Sequence, residues 1–165
     1  LSVSVYQFHM PRYAEIPTVG LYLEQTVLYL NRALEPLGCP EMTPSMVSNY
    51  VKKGYIGKPV KKQYNEEQIA RLFFLAVAKQ VLAMDEIAAL FAIQVEQYTP
   101  ERAYDYFCRE LEQMLAFLFG YGEEPAVIGE DMPPAKKMLR SVIIAVSHII
   151  FLRHSLELAG HPAQQ

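Results

Sequence analysis

Five lysines fall within eleven residues, Lys52, Lys53, Lys58, Lys61 and Lys62, with no acid between them. Closely spaced ammonium groups on one short stretch suit a polyanion, because each can neutralise a phosphate and release its condensed counterion. Widening the window to residues 45–80 adds Arg71 and Lys79 against Glu66 and Glu67. That is a local charge of +5 in a chain whose total is −3, so the remainder carries −8. The near-neutral average conceals a basic region set in an acidic protein. Just before the lysines, Ser45, Ser48, Asn49 and Lys52 recur at spacings of three and four, which on a helix makes one polar edge. Met46, Val47, Tyr50 and Val51 would turn inward. Serine and asparagine are small hydrogen-bonding side chains able to read base edges, whereas Lys53, Lys58, Lys61 and Lys62 would hold phosphates. The competing reading is a solvated lysine face, or lysines that meet an acidic protein partner or the chain's own Glu123, Glu124, Glu130 or Asp131.

Catalysis has no comparable grouping. No GxSxG elbow, HExxH pair, glycine-rich phosphate loop or dinucleotide fingerprint occurs, so no catalytic residue and no cofactor is expected. His148 and His154 are six apart and would face different sides of a helix, whereas a metal site on one helix uses a spacing of three or four. Cys39 and Cys108 belong to no CxxC pair and read as structural thiols in a reducing, cytoplasmic setting. Asp105 with Arg109 and Arg153 with Glu157 are four apart and read as surface helix pairs. Aromatic residues are dense between Tyr98 and Tyr121; Tyr104, Phe107 and Tyr121 are the candidate lining of a small-molecule effector pocket, with core packing or a dimer interface as the alternatives.

The lysines need elements to aim them. Leu23, Val27, Leu30 and Leu34 predict an amphipathic helix over 19–34, stopped by Pro36, Gly38 and Pro40. Thr43 is a candidate N-cap and Pro44 suits the first turn, so a short helix over 44–53 follows, with Gly54 as its left-handed terminator. Residues 55–64, with Gly57 and Pro59, predict an extended ribbon. Asn65 with Gln68 forms a capping-box pattern ahead of a helix through Ile69, Leu72, Phe73, Ala76 and Val77. Asp85 opens another helix, Thr99-Pro100 a third reaching about Phe119, and residues 134–158 a last one whose centre is apolar nearly all round. Its uncharged run, residues 141–152, is short against the roughly 20 residues of a membrane span, so no membrane partner is expected. The N-terminal residues show no secretory pattern. With 165 residues, 52% of them apolar, the chain has enough material for a core, and disorder is excluded.

The run Met46-Val47-Ser48-Asn49-Tyr50-Val51-Lys52-Lys53-Gly54-Tyr55-Ile56 resembles the second helix and turn of MerR-type transcription regulators. Gln63-Tyr64-Asn65-Glu66-Glu67-Gln68-Ile69 resembles the end of their wing and the start of the next helix, and Asp85-Glu86-Ile87-Ala88-Ala89-Leu90 their following short helix. The whole chain, with Pro11-Arg12-Tyr13, Ile16-Pro17, Leu21-Tyr22 and Gln25, is similar to an uncharacterised bacterial family described as MerR-like regulators. The resemblance implies a mainly α fold: a winged helix-turn-helix with a small β wing over 57–64, plus a C-terminal helical pair. It divides the chain into an N-terminal supporting helix (1–42), a DNA-binding module (43–97) and a C-terminal dimerisation or effector region (98–165). It implies action on double-stranded DNA, with Tyr50 near the backbone, Lys52 and Lys53 as the charged pair and Tyr64 as the wing tyrosine. A homodimer is expected because DNA readers often double their half-site contacts through symmetry. Two features depart from the pattern. Ser48-Asn49 replaces the usual arginine-tyrosine pair, and residues 36–42 make a longer connection than a tight turn. The alternative function is a helical protein-interaction or small-ligand module that does not bind DNA.

Overall fold

The computed structural model describes residues 5, 6 and 8–161. Gly20 takes φ 72°, a left-handed conformation that interrupts the helix expected from residue 19. Leu21–Tyr22 then run extended as β1, and α1 begins only at Leu23–Leu34. The partner of β1 is β2, Gln63–Tyr64, paired antiparallel with Leu21 opposite Tyr64 and Tyr22 opposite Gln63. A two-residue strand has no periodicity to read, and its existence depends on a segment far along the chain.

After α1, a 3-10 turn at Glu35–Leu37 and a left-handed Gly38 (φ 70°) lead through residues 38–43 to α2, Pro44–Lys52. Asn31 of α1 holds this long crossing: its Nδ2 donates to the Met42 carbonyl at 2.9 Å and its Oδ1 accepts the Met42 N–H at 2.8 Å. Leu37 and Met42 are buried beneath it. Next come α3 (Glu66–Ala78), α4 (Met84–Gln97), α5 (Pro100–Leu118) and α6 (Pro134–Leu158). Asn65 and Gln68 exchange the expected reciprocal bonds at 2.9 and 2.8 Å, and Thr99 Oγ1 accepts the Arg102 N–H at 3.3 Å. Before α4, Glu86 accepts the Ala83 N–H at 2.8 Å, which starts that helix one residue earlier than Asp85.

The protein is mainly helical, with one small two-stranded sheet among the described residues. Every residue of α3 from Leu72 to Ala78 is buried, because α1, α5, α6 and the N-terminal segment all pack on it. The most extensive helix contact is α5 with α6. One continuous apolar cluster runs from Met10 through Leu30, Val47, Phe73, Phe107 and Leu111 to Ile143 and Ile150. The divisions expected after residues 42 and 97 are both crossed by this core, and the first is crossed by the β1–β2 pairing as well.

The N-terminal segment is latched to α5. Glu112 accepts the Met10 N–H at 2.8 Å and pairs with the Arg12 guanidinium at 2.6 Å, Asp105 accepts the Tyr13 N–H at 2.8 Å, and the Tyr104 hydroxyl donates to the Pro11 carbonyl at 2.6 Å. Asp105 is thus spent on the backbone and makes no pair with Arg109, whose guanidinium stands 5.6 Å from the Tyr106 ring centre. Arg153 likewise donates to Gln80 Oε1 at 2.6 Å and does not pair with Glu157. Asp105 and Arg153 thus take partners far along the chain, while Arg109 stays local, with its Nε 3.9 Å from Glu110.

By length and composition α6 is apolar enough to cross a membrane. In this fold it packs Leu139, Ile143, Val146 and Ile150 into the common core and buries Arg140 beside Glu110 at 3.3 Å. His154 is buried, with Nδ1 3.0 Å from the Ile150 carbonyl, and His148 is exposed. Among the described residues no three His, Cys, Asp or Glu gather where a metal ion could sit.

Candidate nucleic-acid interface

Helix α2 forms because both of its ends are specified locally. Thr43 Oγ1 accepts the Met46 N–H at 3.1 Å, and Pro44, which has no N–H to leave unpaired, opens the first turn. At the other end Gly54 takes φ 81°, and the Tyr55 N–H returns to the Tyr50 carbonyl at 2.9 Å. The short helix is therefore bounded on both sides. Val47 and Tyr50 are buried and Met46 and Val51 half-buried, so the opposite edge of Ser45, Ser48, Asn49 and Lys52 is open to solvent as expected from their spacing.

The ribbon is shorter than the expected 55–64. Residues 55–59 are irregular and anchored from α3: Gln68 Nε2 donates to the Gly57 and Lys58 carbonyls at 3.0 and 2.9 Å. Val60 and Gln63 exchange both backbone bonds, at 3.1 and 2.9 Å, around the two-residue tip Lys61-Lys62. Lys61 (φ 51°) and Lys62 (φ 65°) are the only non-glycine residues with positive φ among those described. Two left-handed residues closing a hairpin make a type I′ turn, where Asn-Gly is the favoured pair. Lysine accepts that conformation only at a cost in backbone strain, which directs attention to what the side chains do there.

Lys52, Lys53, Lys58, Lys61 and Lys62 are all exposed, and among the described residues none of them is in an ion pair. The acidic loop residues Glu123, Glu124, Glu130 and Asp131 do not meet them; the Glu130 carbonyl instead accepts from Lys137 Nζ at 2.9 Å. Lys52 and Lys53 also stand at the C-terminal end of α2, where a cation complements the unpaired carbonyls.

Two expected phosphate contacts require correction. Tyr50 and Tyr64 are only 7% and 4% exposed, and both belong to the core cluster. Burial pushes both hydroxyls above their ordinary pKa. They fasten α2 and the hairpin to the body of the protein and do not present themselves to a polyanion. Sequence reasoning missed β1 as the hairpin's support and Gln68 as the clamp on its base. The capping pattern identified Gln68, but its second task depends on where residues 57 and 58 pass.

The three aromatic effector candidates separate into two places. Tyr104 and Phe107 are buried and line an apolar cleft between α3, α4 and α5. Tyr121 lies outside that lining, with its ring 3.9 Å from that of Tyr6 and its hydroxyl donating to the Val5 carbonyl at 3.1 Å. The single pocket expected of them does not form.

The fold and this surface define a mainly helical protein that presents a capped helix and a lysine-tipped hairpin from one core. A family model described as a domain of unknown function, DUF1836, matches residues 11–107, more than half of the chain, and the protein belongs to that family. No curated protein and no solved structure matches the chain.

Proposed function

We propose that the protein is a DNA-binding transcription regulator of the winged helix-turn-helix kind, similar to MerR-type regulators. In this reading α1 and α2 are the helix pair and the Lys61-Lys62 hairpin is the wing. Helix α2, like any α-helix about 10–12 Å across with its side chains, fits into a major groove about 12 Å wide. Ser45, Ser48 and Asn49 face base edges; Lys52, Lys53, Lys58, Lys61 and Lys62 take phosphates. The observation that carries the reading is the open, unpaired state of all five lysines beside an outward polar helix edge. A protein-interaction module that uses its lysines on its own acidic loop lacks that support, because those acids stand elsewhere. Met138, Leu152 and Leu156 of α6 are 43%, 52% and 43% exposed, which favours pairing of two copies through that helix and doubling of the DNA contact.

The test is a fluorescence anisotropy titration of duplex DNA between 50 and 200 mM salt, with sedimentation measured on the same samples. Five phosphate contacts per copy give a slope of log affinity on log salt of about −4.5. Affinity that is insensitive to salt, or that survives Lys61→Glu with Lys62→Glu, refutes the assignment.

A further inference from the structure

The cleft between α3, α4 and α5 is independent of the lysine face, and its chemistry is specific. Its floor and walls are apolar: Phe74, Leu90, Phe91 and Phe107 among them, with Phe74 held 5.4 Å from Phe91 and 4.9 Å from Phe107 between ring centres. It holds a cavity of about 60 Å³, room for roughly four to six water-sized spheres, and is open to solvent at its mouth. Gln94, only 7% exposed, lines it. The Gln94 Nε2 is committed to the Ala135 carbonyl at 2.8 Å, while Gln94 Oε1 is buried with no hydrogen-bond partner on the protein. A buried acceptor left in this state carries an unrecovered desolvation cost, which a donor entering the cleft removes. At the mouth, the Arg71 guanidinium lies 5.0 Å from the Phe91 ring centre and 3.8 Å from Glu67, so its charge is already faced by an acid and an aromatic surface.

We propose that this cleft is a binding site for a small neutral aromatic alcohol, a phenol-class molecule whose ring lies among Phe74, Phe91 and Phe107 and whose hydroxyl donates to Gln94 Oε1. The three rings select an aromatic body through edge contacts. Gln94 selects a donor, because its own amide hydrogen is spent and only its acceptor remains. The Glu67 carboxylate beside Arg71 and the apolar interior select against an anion. The lining residues of α3, α4 and α5, from Glu67 to Phe107, lie within the matched family region, Leu139 of α6 lies outside it, and none belongs to the lysine face. The site therefore stands or fails separately from DNA binding.

The experiment is an amide-detected NMR titration of the full chain with phenol, toluene and benzoate. Phenol and toluene share shape and differ in the hydroxyl. Phenol is expected to shift the Gln94 side-chain amide together with backbone amides of residues lining the cleft, and to bind at least tenfold more tightly than toluene and than benzoate. Gln94→Met, close in volume, is expected to bring phenol and toluene to equal affinity. Should that variant not fold, the comparison in the native chain decides alone. Equal affinity of phenol and toluene in the native chain, tighter binding of benzoate, shifts outside the cleft, or no shift up to the solubility of phenol each overturns the proposal.

Discussion

Replacing Lys61 with Asn and Lys62 with Gly should move stability and DNA affinity in opposite directions. At φ 51° and 65° both residues occupy the left-handed region, which costs an ordinary L residue roughly 1–2 kcal/mol each and costs Asn and Gly much less. Glycine also gives the unfolded chain extra freedom, which takes back part of that gain. The net stabilisation is about 1 kcal/mol, and for a chain of this size that raises Tm by about 2–4 °C. If the hairpin meets DNA as proposed, the same change removes two phosphate contacts and the salt slope of binding falls by about 1.8. Across a fourfold change in salt, the variant's affinity then varies about tenfold less than the parent's. Thermal unfolding followed by circular dichroism gives the first number and anisotropy against one duplex at four salt concentrations gives the second. An unchanged or lowered Tm refutes the strain argument. A raised Tm with an unaltered salt slope shows that the lysines are not at phosphates, and removes the reason for tolerating them at the turn.

Glu110→Ala leaves the Arg140 guanidinium, whose side chain is 7% exposed, without its carboxylate; urea unfolding should show a loss of about 3–5 kcal/mol, and Arg140→Met with Glu110→Leu should recover most of it. A loss under 1 kcal/mol in the single variant means that the pair is solvated. Burial pushes the Cys39 thiol up to about 11 and the Cys108 thiol up to about 12. Both keep their protons in the folded chain after the unfolded chain has released its own near pH 9. The unfolded state then binds fewer protons, and stability falls as pH rises from about 9 towards 11, by about 1 kcal/mol per thiol at pH 10. Urea midpoints at pH 8, 9 and 10 should fall less steeply in Cys39→Ser with Cys108→Ala than in the parent; parallel curves refute the effect.

What could be read from the residues follows from the range over which each feature is decided. The caps at Thr43, Asn65 and Thr99 involve atoms three residues apart, and all three form where the pattern puts them. The outward edge of α2 follows from helical periodicity and one buried side, and it too is legible. Strand β1 is not, since Leu21 and Tyr22 extend only because Gln63 and Tyr64 pair with them. Tyr50 and Tyr64 mislead for a chemical reason. A tyrosine offers both an apolar ring and a hydroxyl, and in each case the ring wins a place in the core. Asp105 and Arg153 have partners at i+4 in the sequence yet reach Tyr13 and Gln80, because the tertiary fold offers them a backbone N–H and a buried-edge amide. The acceptor on Gln94 was invisible for the same reason: whether it is satisfied depends on four separate segments.

The latch between the first residues and α5 determines how the molecule can be dissected. A shortened version beginning just before β1 would keep every lysine and the exposed Ser45 and Ser48, and on paper would isolate the basic surface. It would also strip Glu112 of its guanidinium and amide partners, leave Asp105 without the Tyr13 N–H and free the Tyr104 hydroxyl, all on a helix whose other side is central to the core. The basic head and the helical rear are thus tied by a thread that starts ahead of both, and trimming that thread damages the half that looks untouched.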